Sequence, residues 1–76
     1  MKIIWVRWHD STEWHGWQSA ELCDTELDVI ETVGYLIEEH WDRIVIANSI
    51  SRSSHLNGIL AIPKSAIKRR RTIKTR

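Results

Sequence analysis

The sequence predicts a mostly β fold, a small five-stranded barrel of the SH3-like or Sm-like kind with a short helical turn near residues 19–23. Five short segments are rich in Ile, Val and Trp, which fit a pleated surface. Gly34 lies inside the second segment, where a missing side chain permits a sharp bend. Pro63 opens a tight turn before the last segment. We therefore expect one barrel domain over residues 1–74 and a C-terminal tail at 75–76.

The first two strands flank a long connection. Residues 2–9 form the first strand, which ends at a turn-prone Asp-Ser-Thr cluster. A loop over 10–18 follows, and then the brief helical turn, for which Ser19 is the N-cap. Residues 30–39 form the second strand, whose interior glycine marks the bend.

Three further strands complete the barrel. A polar hairpin loop precedes the third strand at 43–50, which its Ile-Val-Ile-Ala run at 44–47 makes the clearest of the five. The fourth strand at 58–62 stops at Pro63, because proline has no N–H to donate to a ladder. Residues 63–66 fit one turn of 3₁₀ helix, and residues 67–74 make the closing strand.

The size of the chain limits what it can do. A 76-residue domain buries only about 60% of its surface, so neither a large core nor a deep catalytic cleft is expected. The longest apolar runs have four residues, far short of the roughly 20 of a membrane helix. One cysteine, Cys23, excludes an internal disulfide and suits a reducing compartment. We therefore expect no membrane span and a cytoplasmic location.

Charge is distributed very unevenly along the chain. The formal net charge is +1, yet all ten acids lie in residues 1–42 with two bases, a balance of −8. Residues 43–76 hold nine bases and no acid, a balance of +9. Three interpretations stay open: internal neutralisation, an anion site at the basic C-terminal end, or a homo-oligomer in which acidic and basic faces of different subunits meet.

Four segments together share a pattern with known proteins: Val6-x-Trp8 with Asp10-Ser11, Gly16-Trp17, VGYLIEE at 33–39 and GILAIPK at 58–64. Over nearly the whole chain, this pattern resembles short accessory open reading frames of tailed phages. The resemblance implies a phage origin and action in the host cytoplasm. It also implies binding to something of the host's, such as a regulator, a nuclease or a nucleotide signal of antiphage immunity. It carries no catalytic residues.

Tryptophan is several times more frequent than average, and it offers a large contact area with few rotamers to freeze. Trp5 and Trp8 point to opposite faces of the first strand because side chains alternate, so one of them faces outward or towards a partner. Trp14, Trp17 and Trp41 fall in predicted loops. There they either pack over a barrel mouth or stack on a base, ligand or partner.

The basic end supplies candidate phosphate contacts. Guanidinium groups bind phosphate through paired hydrogen bonds, and tryptophans stack on bases. The sequence therefore predicts a ligand site built from Trp14, Trp17, Arg52, Arg69, Arg70 and Arg71.

Alternation along the closing strand assigns its side chains to two rows. Lys68, Arg70, Thr72 and Lys74 form one row, which we expect to be solvated. Arg69 and Arg71 share the other side with Ile67 and Ile73.

Catalytic and metal-binding patterns are missing from the sequence. It has no glycine-rich phosphate loop, no nucleophile elbow and no histidine pair at helical zinc spacing. Five residues are of types that bind divalent metals, but their spacing matches no compact metal-binding motif: His9, Asp10, Glu13, His15 and Cys23. We interpret the first four as ordinary polar surface and Cys23 as a small buried apolar residue. An acid-base pair at His15 would lack a nucleophile. We expect no enzyme activity, no metal and no cofactor.

Three functions remain. The first is an oligomeric sponge that sequesters a small anionic ligand, such as a cyclic or ADP-ribose-derived immune signal, and so evades host defence. The second is a protein-binding inhibitor of a host factor whose acidic half acts as a decoy for a nucleic-acid site. The third is RNA or DNA binding by an Sm-like barrel, which the basic end favours and the acidic half opposes.

Overall fold

A computed structural model describes residues 1–10 and 28–74. The elements of this part, in chain order, are β1 (Ile3–Asp10), β2 (Asp28–Glu39), β3 (Arg43–Ile50), β4 (Leu56–Pro63), the 3₁₀ turn η1 (Lys64–Ala66) and β5 (Ile67–Ile73). All pairings are antiparallel, and the strands form one sheet in the order β4-β3-β2-β1-β5. The mostly β, five-stranded, barrel-like fold is thus confirmed. The expected helical turn at 19–23 lies outside the described residues, as does most of the loop before it.

Strand β2 is shared between two parts of the sheet. It is 12 residues long. Its first part pairs with β1 from Asp28 to Tyr35, and its last part pairs with β3 from Tyr35 to Glu39. An irregularity between Leu36 and Glu38 shifts the second register. The exchange of partners follows immediately after Gly34, at Tyr35, which pairs with both β1 and β3.

A close backbone contact explains why residue 34 is glycine. An ideal Cβ placed on Gly34 would lie 2.9 Å from the carbonyl oxygen of Ala47 on β3. Because the opposing atom belongs to buried backbone, it cannot swing aside as a flexible side chain would. Any larger residue therefore has to push β3 away from β2.

The core lies on one side of the sheet. Its buried members are Ile4, Val6, Trp8, Ile44, Ile46 and Ile62. The indole Nε1 of Trp8 donates a hydrogen bond to Thr32 Oγ1 over 3.0 Å, so this large ring is buried with its polar atom satisfied. Trp5 lies on the opposite face, which confirms that the two tryptophans of β1 point different ways.

One expectation for the closing strand is wrong. Arg69 pairs with Arg7, but Ile67 pairs with Trp8, so Lys68 is an extra residue that shifts the register. A bulge of this kind reverses the alternation beyond it. Ile67 therefore packs against the core, on the same side as Arg70, and does not share a face with Arg69.

The described turns are closed by backbone hydrogen bonds. His40 N donates to Arg43 O over 2.8 Å in the β2–β3 hairpin, and Lys64 N donates to Asp42 O over 2.8 Å. The second bond attaches η1 to that hairpin. The 3₁₀ turn after Pro63 is where the sequence predicts it.

We expect Gly34→Val to lower the free energy of unfolding by about 3 kcal/mol, because a β-branched side chain meets the Ala47 carbonyl. Thermal unfolding followed by circular dichroism measures the effect. Val33→Thr is the control: it exchanges one β-branched residue for another at the adjacent exposed position, where no backbone is approached, and should change stability by no more than about 0.5 kcal/mol. An unchanged melting temperature for Gly34→Val would show that the close approach does not constrain the fold.

Candidate functional site

The predicted ligand residues do not all lie together. Trp14 and Trp17 are outside the described residues, so their part in the site stays a prediction. Arg52 is exposed in the turn between β3 and β4. That turn is attached to the opposite end of the strand order from β5, so sheet pairing does not place Arg52 beside the three β5 arginines.

The run of three arginines is divided between two faces. Arg69 and Arg71 pair with Arg7 and Trp5 on the outer face. Arg70 pairs with Val6, whose side chain is buried in the core, so it projects to the other side. The run is therefore not one cluster of three equivalent cations.

Arg70 forms an ion pair with an acidic residue of the same chain at the protein surface. Its two terminal nitrogens donate to the two carboxylate oxygens of Glu39 over 3.1 and 3.0 Å, and Lys64 Nζ lies 3.1 Å from the same carboxylate. We call these residues the Glu39 triad. The triad joins the end of β2 to η1 and β5. The hydrogen bond from Arg70, and then the one from Lys64, lower the pKa of Glu39 from 4.5 to about 2.

A second group of side chains forms what we call the outer-face site: Trp5, Arg7, Arg69 and Arg71. The guanidinium carbons of Arg7 and Arg71 lie 5.3 and 5.9 Å from the centroid of the Trp5 ring. Both distances fall within the roughly 6 Å over which a cation is attracted to an aromatic face. Arg71 reaches the ring from the neighbouring strand, directly opposite Trp5 in the register. An aromatic surface and positive charge thus meet on an exposed sheet face.

Some basic side chains have a carboxylate partner, and others do not; we call the second group free cations. Arg7 Nη2 lies 2.9 Å from Glu31, and Arg43 Nη1 lies 2.9 Å from Asp42. Within residues 1–10 and 28–74, the cations without a carboxylate partner are Lys2, Arg52, Lys68, Arg69, Arg71 and Lys74. Four of these six lie on β5 or directly after it. Internal neutralisation therefore accounts for Arg70 and leaves the outer row of β5 positively charged.

The outer-face site is open to solvent. No cavity is found in the described part of the protein. Trp41, at the tip of the β2–β3 hairpin, is 90% exposed, so it does not pack over a barrel mouth. Among the described residues, no three His, Cys, Asp or Glu side chains gather as metal ligands, and no helix is long and apolar enough to cross a membrane.

The sequence predicts that Trp14 and Trp17 supply the aromatic surface of the ligand site. Trp5 and Arg7, which the structure shows in the outer-face site, are not part of that prediction. The alternation of Trp5 and Trp8 was the available signal, since one of them had to face outward. The stacking of Arg71 on Trp5 depends on the pairing of β1 with β5, which the sequence does not specify.

Comparison of the chain with protein-family models, with curated proteins and with solved structures finds no match. The resemblance to tailed-phage accessory reading frames stays a prediction. Function is therefore argued from the geometry of the outer-face site.

The Glu39 triad should make stability depend on pH. Because folding lowers the pKa of Glu39, its stabilising effect is present above pH 4.5 and is lost as the pH falls towards 2. We expect the difference in melting temperature between wild type and Glu39→Gln to shrink over that interval. The control compares Arg70→Gln with the double variant Arg70→Gln/Glu39→Gln, whose melting temperatures should differ less than those of the first pair at every pH. A difference that is constant from pH 6 to 2 would contradict the role of the triad.

Proposed function

We propose that the protein is a non-enzymatic binding protein that sequesters a small anionic ligand carrying both a base and phosphate. The observation that supports this most directly is Trp5 flanked by the guanidinium groups of Arg7 and Arg71 on the outer face. Stacking and charge are the two contacts that a nucleotide-type ligand requires.

The spacing of the free arginines fits phosphate. Arg69 and Arg71 are two residues apart on one face of β5, which corresponds to about 6.6 Å along a strand. Neither has a carboxylate partner in the described part of the chain. Two guanidinium groups at this separation suit one phosphate held between them, or two linked phosphates held one each, while a base stacks beside Trp5.

The resemblance to phage accessory reading frames supports a biological setting for this binding. In the host cytoplasm, a protein that captures a nucleotide signal of antiphage immunity would prevent that signal from reaching its effector. Sequestration needs no catalysis, and each copy of the chain offers one outer-face site. An oligomer would present several.

The openness of the site favours a second candidate, single-stranded RNA or DNA. Small ligands are usually enclosed by a cleft that buries most of their surface, whereas a single strand lies along an open groove or face. The free cations Arg69 and Arg71 lie on the outer face of β5, Arg71 directly opposite Trp5, and provide the start of such a path.

The protein-binding inhibitor receives less support from the described acids. Glu31, Glu39 and Asp42 each have a basic partner, and Glu38 Oε2 lies 2.7 Å from His40 Nε2. Carboxylates engaged in this way are poorly suited to imitate the phosphates of a nucleic acid.

We expect the purified protein to bind one member of a panel of cyclic dinucleotides, ADP-ribose derivatives and mononucleotides in isothermal titration calorimetry. Trp5→Ala should weaken that binding by about 5- to 150-fold, because one stacking contact is worth roughly 1 to 3 kcal/mol. The double variant Arg69→Gln/Arg71→Gln should weaken it further. Trp41→Ala is the matched control, since it removes an exposed tryptophan away from the site and should leave affinity unchanged.

A short single-stranded RNA, titrated at two salt concentrations, separates the candidates. If nucleic acid is the ligand, the logarithm of the affinity falls steeply with the logarithm of the salt concentration. Removing Arg71 then reduces this slope by about the contribution of one phosphate contact. If Trp17→Ala abolished binding and Trp5→Ala did not, the ligand site would lie at the predicted loop over residues 10–18 and not at the outer-face site. Absence of binding to every nucleotide and to the RNA would overturn both proposals and leave the host-protein inhibitor.

A further inference from the structure

The sheet ends in two strands of very different character. In the described part of the chain, β4 pairs only with β3, and β5 pairs only with β1. Each strand therefore presents backbone N–H and C=O groups along one edge. Edges of this kind invite pairing with another chain unless charges, bulges or proline prevent it.

Strand β5 is protected against such pairing. It carries Lys68 and three arginines, and the extra residue at Lys68 disturbs its register with β1. Positive charges directly opposite one another destabilise a strand pair. A second copy of β5 is therefore repelled.

Strand β4 lacks this protection over most of its length. Its sequence, LNGILAIP, contains no charged residue, and seven of its eight residues are exposed. Ile59 is 60% exposed, and Leu56 and Leu60 are also exposed. Only Pro63, at the end, is a residue that commonly protects an edge. Exposed apolar residues on an uncharged edge are typical of a surface that is covered in the working assembly.

We propose that β4 is a self-association surface, on which β4 of a second copy pairs antiparallel to give a twofold dimer. The distribution of charge favours β4, and not β5, of the second copy as the strand that pairs here. A β5 strand from another copy would bring arginines against Ile59 and Leu60 and leave them partly desolvated without carboxylate partners. A second β4 brings only apolar and small uncharged side chains, and an antiparallel pair of identical strands satisfies twofold symmetry.

This dimer is compatible with the outer-face site and independent of it. Strand β5 lies at the other end of the strand order, so the free arginines of both copies stay accessible. The dimer would thus carry two outer-face sites. It also differs from the contact between acidic and basic faces that the charge distribution suggests.

Sedimentation velocity of the full chain over a range of micromolar concentrations tests the proposal. We expect a species of twice the 9.0 kDa chain mass. Ile59→Lys should raise the dimer dissociation constant by about tenfold or more, because it places a charge at the edge, as natural edge strands do. Val33→Lys is the matched control, since Val33 is similarly exposed but lies on the central strand β2, and this variant should still dimerise.

Ile59→Glu distinguishes the two possible partners of β4. In a β4–β4 dimer the glutamate weakens association, as lysine does, and mixing the Lys and Glu variants restores it. In a β4–β5 contact the glutamate faces arginines and strengthens association, and the assembly grows beyond a dimer. Strengthened association, growth beyond a dimer or a wild-type monomer at the highest concentration would overturn the proposal.

Circular dichroism checks that each variant is folded. Ile59→Thr, which retains β-branching, replaces any variant that unfolds and should also weaken the dimer.

Discussion

The contact between Gly34 and the Ala47 carbonyl determines how the sheet is built. Without a side chain at residue 34, β2 and β3 approach closely just where β2 leaves β1 and takes up its second partner. Strands β1 and β3, which supply five of the six buried core residues, both pair with β2, and their apolar side chains meet in one small core with Ile62 of β4. Beyond this point, the end of β2 lies beside η1 and β5, where Glu39 contacts Arg70 and Lys64. The core and the triad both depend on this one close approach.

Strand alternation gives neighbouring arginines of β5 different roles, and the bulge at Lys68 keeps Ile67 on the core side. Beyond this extra residue, Arg70 projects to the core side and binds Glu39, whereas Arg69 and Arg71 project outward. Ile67 keeps its place against the core because the bulge reverses the alternation between it and Arg69. A regular strand would have placed Ile67 on the outer face and removed an apolar contact from the rim of the core. One inserted residue therefore preserves packing at the start of β5 and leaves an exposed pair of cations farther along it.

The parts of the fold that follow from local pattern were predictable. Interior Gly34 marked the place where β2 changes partner, Pro63 marked the 3₁₀ turn, and alternation required either Trp5 or Trp8 to face outward. The bulge at Lys68 was not predictable, because regular alternation was the only guide to the closing strand. The ion pair between Arg70 and Glu39 joins residues 31 apart in the sequence, and only the folded structure shows which acid contacts which base. For the same reason, the charge distribution alone left neutralisation and anion binding as alternatives.

The two edges of the sheet show how one set of charges can serve two purposes. On β5, the outer arginines discourage pairing with another strand, and because neither has a carboxylate partner among residues 1–10 and 28–74, they are free to bind an anion. An acidic residue beside Arg69 or Arg71 would have neutralised the edge and removed both properties. On β4 the uncharged, apolar sequence has the opposite consequence, because only its terminal proline opposes contact with a second strand. In the proposed dimer, contact between copies takes place at β4 and ligand binding at β5, so neither obstructs the other.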